Sequence, residues 1–67
     1  MNKTELKIVM LRHGDTNKEL AEYLGISEQS VSNKINESGT EFKQGEIAKI
    51  KEKYNLTADQ VATIFFG

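Results

Sequence analysis

Asn17-Lys18-Glu19-Leu20-Ala21-Glu22-Tyr23-Leu24-Gly25-Ile26-Ser27-Glu28-Gln29-Ser30-Val31-Ser32-Asn33-Lys34-Ile35-Asn36 is the stretch whose reading decides the fold. It reads as helix, tight turn, helix. Leu20, Ala21 and Leu24 put a narrow apolar face on the first helix, and Val31 and Ile35 stand i, i+4 on the second. Gly25 ends the first helix and permits the backbone angle that sends the second across it. Ala21 lets the two approach closely, and Ile26 plugs the turn. Ser27 is an N-cap, with Ser30 three residues on where an acid is usual, so the second helix is expected over 28–36. A short, Gly-containing turn between two such helices is what a helix-turn-helix requires.

The outer face of that second helix carries Glu28, Gln29, Ser32, Asn33 and Asn36. These are short hydrogen-bonding groups, not the long Lys/Glu mixture of a solvated face. Gln and Asn pair bidentately with adenine, Ser donates or accepts, and Glu accepts from the cytosine amino group. Glu28 and Gln29 lie at the helix start, the end that recognition helices present to the major groove. The competing reading is the solvated face of an ordinary small bundle. Phosphate contacts are expected at the edges: Asn17 and Lys18 at the start of the first helix, Lys34 and Asn36 late in the second, and Thr40 and Lys43 in and after the next loop.

Outward from this core, Leu6, Val9, Met10 and His13 form one stripe of a helix over 4–12, stopped by Gly14. Thr16 and Glu19 have the form of a capping box. After a polar loop at 37–41, Ile47, Ile50 and Tyr54 mark a further helix. Its start is poorly signalled, since Lys43 stands where a cap belongs and Gly45 weakens the first turn. Thr57 and Gln60 form a second capping box, opening a helix through Val61, Ile64 and Phe65. Adjacent residues on a helix point about 100° apart, so Phe66 cannot share the Phe65 stripe. Phe66 either folds back over its own core or makes a two-fold dimer contact.

The expected architecture is therefore all-α: one compact five-helix domain over 1–67. The 67 residues hold no Cys and no Pro, which suits a reducing cytoplasm and leaves every stretch free to be helical. No apolar run approaches the roughly 20 residues that span a bilayer, and the N-terminus lacks the apolar core of a signal peptide. His13 is the single histidine, so a metal site would lack partners and a helix-end or packing role is expected. Glu19 and Glu22 stand at helix spacing, as on a solvated face. No cofactor, metal or catalytic site is expected, and an enzyme is not. Nine Lys/Arg against ten Asp/Glu give a net charge of −1, which counts against nucleic acid unless the cations are placed locally.

The 16–36 stretch resembles the phage repressor and Cro helix-turn-helix family, in which the pattern T-x-x-E-L-A-x-x-L-G-[IV]-[ST]-x-x-[ST]-V-S is nearly complete here. Phe42-Lys43-Gln44-Gly45-Glu46-Ile47 and Ile64-Phe65-Phe66 are also similar to small Cro-like phage regulators of low-GC Gram-positive bacteria. The resemblance covers the whole chain loosely and 16–36 tightly. It implies a lambda-repressor-like fold and a transcriptional regulator in the bacterial cytoplasm, associated with the nucleoid, that binds a pseudo-palindromic double-stranded operator as a homodimer. It places base contacts on Glu28, Gln29, Ser32 and Asn33, and phosphate contacts on Asn17, Asn36 and the loop near Thr40 and Lys43. Many relatives carry Gln or Arg where this chain has Glu28. The rival from another class is a protein-interaction module reusing the same helices, such as an antitoxin or a docking domain. Net charge favours it, whereas the lack of aromatic or Met anchors on the helix face does not.

Overall fold

Three of the five helix starts in this chain fall where a side chain meets a free amide of the first turn. The computed structural model describes residues 1–67 as α1 (Lys3–Arg12), α2 (Asn17–Leu24), α3 (Glu28–Ile35), α4 (Gln44–Lys53) and α5 (Ala58–Val61), the last continuing as a π-helical segment, Ala62–Phe66. There is no strand. α1 begins one residue before its expected start because Asn2 caps it, its Oδ1 accepting from the Glu5 amide at 3.1 Å. Ser27 caps α3 as expected, accepting from the Ser30 amide at 3.0 Å. Thr57 and Gln60 form both halves of the expected box, at 3.1 and 2.8 Å.

Two starts differ from expectation. The Thr16 hydroxyl donates to the Glu19 carboxylate and caps no amide. That hydrogen bond is the main reason the Glu19 carboxyl sits below its usual pKa. At α4 the weak cap at Lys43 is offset from the other side: Glu46 Oε1 reaches back to the Lys43 amide at 2.8 Å.

α2 ends at Gly25, whose φ of 73° is open to glycine at no steric cost. The Gly25 and Ile26 amides both return to the Ala21 carbonyl, at 2.9 and 3.1 Å, so the turn is tied to α2 before α3 begins. α2 then packs against α3. Leu6 from α1, Leu20 from α2, Val31 from α3 and Ile50 from α4 are fully buried and form the centre of one core. Phe42 and Phe65 close one end edge to face, with ring centroids 5.9 Å apart. A radius of gyration of 10.7 Å compares with about 11 Å for a compact chain of this length.

A polar lock joins the α1–α2 turn to the end of α4. Asp15 Oδ2 accepts from the Tyr54 hydroxyl at 2.8 Å and lies 3.2 Å from the Lys53 ammonium. Burial works against the charged Asp15, but these two donors outweigh it and hold the carboxyl below its ordinary pKa. Burial and the same hydrogen bond push the Tyr54 phenol well up. His13 caps the end of α1, with Nδ1 2.9 Å from the Val9 carbonyl and its ring tilted against Tyr54. The helix-end role expected of it is the one it occupies.

Candidate nucleic-acid interface

α3 has two sides with different chemistry. Val31 and Ile35 enter the core. On the other side Gln29 is exposed and Asn33 half-buried, and the Gln29 Nε2 donates to Asn33 Oδ1 at 2.9 Å. One turn of helix separates them, which brings i, i+4 side chains together. Whichever way the two amides are turned, the pair keeps a free carbonyl on one residue and a free amino group on the other. An acceptor beside a donor complements the major-groove edge of adenine. Glu28 is exposed at the head of the helix, and Ser32 is half-buried between the two sides.

The flanking residues divide into those that stand free and those that are engaged. Lys18 and Lys43 are exposed, and neither ammonium has an acidic partner. Asn17, half-buried as the first residue of α2, shares an open groove with Glu28. Asn36 is exposed as the C-cap of α3, and its Oδ1 accepts from Lys3 Nζ at 3.1 Å. Thr40 is exposed in a shallow depression between Glu37 and Glu41. The Met1 ammonium, 2.9 Å away, offsets Glu37, but Glu41 has no cation.

Lys34 requires a correction. It was expected among the phosphate contacts, but it is the one buried charged residue, 7% exposed, with its ammonium 2.8 Å from Glu46 Oε1. Position 34 lies beside the Val31/Ile35 stripe and faces α4, so its side chain turns inward where Glu46 waits. That one carboxylate oxygen accepts from Lys34 and from the Lys43 amide together. Burial opposes the charge on Glu46, yet both donors, aided by the Lys34 and Lys43 charges, keep its pKa below normal. This pair ties Lys34 of α3 to the start of α4 and turns its ammonium away from solvent.

Two further exposed cations, Lys3 and Lys7, lie on α1 at i, i+4 spacing beside the Leu6/Met10 stripe. Ion pairs engage Lys34, Lys53 and the Met1 ammonium with Glu46, Asp15 and Glu37. Each pair is neutral, so pairing changes where charge is placed and leaves the whole-chain sum of −1 as it was.

These features define a class: a small all-α domain in which an amide-bearing helix face is held outward by its neighbours. The chain belongs to the family described as Protein of unknown function (DUF739), whose model matches residues 4–67. No curated protein and no solved structure matches it.

Proposed function

We propose that this protein is a sequence-specific DNA-binding regulator of phage or prophage type, with α2 and α3 acting as a helix-turn-helix of the lambda-repressor kind. α3 enters the major groove, and Glu28, Gln29, Ser32 and Asn33 meet base edges. Asn17, Lys18, Asn36, Thr40 and Lys43 meet phosphates. The observation that carries this reading is the Gln29–Asn33 amide pair, presented on the solvent side of a helix whose other side is anchored in the core. Such i, i+4 amide pairs also steady solvated helix faces; what favours recognition is that this pair keeps one free acceptor and one free donor, the complement of the adenine edge.

On a pseudo-palindromic operator two copies bind. Phe66, 69% exposed at the edge of a groove lined by Met1, Phe42, Ile47 and Phe65, offers the contact between them. A standard interface buries about 800 Å² per partner, near a fifth of this chain's 4245 Å² surface. So large a share fits pairing assisted by DNA better than a tight free dimer.

The test is selection of duplexes from a random pool, followed by titration at several salt concentrations and measurement of stoichiometry. A single enriched motif, two copies per duplex and affinity falling steeply with salt are expected. No enrichment at low salt defeats the proposal. The rival, a protein-docking module, draws on Leu11, a large apolar residue 79% exposed on α1. It predicts that Leu11→Ser abolishes function while every duplex binds alike.

A further inference from the structure

With Lys34 locked to Glu46, α3 brings no free cation of its own to a DNA surface, because its sequence from Glu28 to Ile35 holds no other Lys or Arg. Phosphate binding supplies much of the affinity of any such protein, so the cations must come from neighbouring elements. α2 offers Lys18 alone, beside the acids Glu19 and Glu22. α1 offers more. Lys3 and Lys7 stand one helical turn apart on one stripe of it. Lys3 reaches the C-terminal end of α3, where its ammonium is 3.1 Å from Asn36 Oδ1. Lys7 lines the groove that also holds Asn17 and Glu28, at the N-terminal end of α3. The stripe therefore flanks α3 at both ends. Both lysines are exposed, and neither is in an ion pair. The only side-chain hydrogen bond either makes is to a neutral amide, which leaves both charges uncompensated.

We infer that Lys3 and Lys7 of α1 form a cationic edge that clamps the DNA backbone beside α3, taking the part that Lys34 was expected to play. Side chains at i, i+4 stand about 5–6 Å apart at Cβ, and long flexible stems adjust from there to neighbouring phosphates of one strand. Asn36 steadies Lys3 without neutralising it. The edge carries no base information, so its removal weakens all sequences alike.

This inference rests on the DNA-binding reading, and one experiment separates the two. The parent chain, Lys3→Gln, Lys7→Gln, the double variant and Lys3→Arg/Lys7→Arg are titrated against a duplex enriched from the random pool and against a scrambled one, at several salt concentrations. Arg12→Gln is the control of equal charge change. It lies on the same helix but lines a different groove, with Asp59 and Gln60. Circular dichroism checks that each variant is folded. Each phosphate no longer neutralised lowers the slope of log affinity against log salt by about 0.9, so the slope of the double Gln variant is expected to fall by about 1.8 per bound copy, about 3.6 for two copies on one duplex, with its base preference intact. The Arg pair is expected to keep the slope, and Arg12→Gln to leave it near that of the parent. A double Gln variant whose slope changes no more than that of Arg12→Gln overturns the clamp and leaves the DNA reading standing. A parent chain that enriches no duplex overturns both.

Discussion

On α3, Gln29 and Asn33 share one hydrogen bond and otherwise meet solvent, whereas Val31, Lys34 and Ile35 on the other side of the same turns are buried. The two sides are equally short and equally helical, but they are held in different ways. On the outer side, removing a group leaves water to replace it. On the inner side, removing a group leaves either a void or a charge with no partner. A helix built like this can have its outer residues exchanged without losing its orientation, because the orientation belongs to the other side. That separation is what a domain with modest total stability requires, since about 3–10 kcal/mol is all that a chain of this size commands.

The largest test of the separation is Glu46→Ala. It removes the acceptor shared by the Lys34 ammonium and the Lys43 amide, leaving a buried charge unpaired. The expected destabilisation is about 2 kcal/mol, below the 3–5 of a fully enclosed pair because some water reaches the carboxylate. Lys34→Met fills nearly the same space without a charge and leaves the more exposed Glu46 its backbone donor and some water, so it is expected to cost about 1 kcal/mol, less than Glu46→Ala. Urea denaturation of both variants decides it. If Lys34→Met is the more damaging, the ion pair itself holds α3 in place, and the inner side is not the simple anchor described above.

A smaller effect on the inner networks comes from acid. The carboxyl groups of Asp15 and Glu46 titrate below their ordinary values of 3.8 and 4.5, because the hydrogen bonds they accept outweigh the effect of burial. The unfolded chain therefore takes up their protons first. The stability they contribute is complete above the unfolded values and drains away as pH falls through the folded ones. The melting temperature is expected to hold down to about pH 5 and to fall below it, and Asp15→Asn with Glu46→Gln to flatten that fall. Thermal melts across this range check it. A fall equally steep in the double variant would place the acid sensitivity in other carboxylates.

Most of this architecture was legible in the sequence because it rests on local signals. Ser27, Gly25 and the Thr57/Gln60 box each act within one turn, and each stands where expected. The Leu20, Val31 and Ile35 pattern likewise named its own core. What escaped was long-range. Nothing near Lys34 in the sequence announces Glu46, twelve residues on, and a lysine late in an amphipathic helix ordinarily faces water. Asp15 with Tyr54, thirty-nine residues apart, was equally silent. Lys3 and Lys7, proposed above as a cationic edge, lie on a helix whose strongest sequence signal is its apolar stripe. Phe66, left outside the core stripe by helix geometry, is exposed, and Phe65 is buried.

The smallest effect on stability, and the sharpest on function, is expected from Gln29→Ala. Gln29 is exposed and its one side-chain partner is Asn33, so the change removes a single surface hydrogen bond and adds a better helix former. Stability is expected to move by less than about 0.5 kcal/mol. Discrimination at one base pair should drop by about 1–3 kcal/mol, measured as the affinity ratio between the selected duplex and its single-base variants. Lys43→Ala should instead weaken all of these duplexes by the same factor, since a backbone contact does not distinguish them. If both substitutions give the same pattern across duplexes, the outer side of α3 is not reading bases. If Gln29→Ala costs as much stability as Glu46→Ala, the two sides of the helix are not independent, and the amide pair is part of what holds α3 in place.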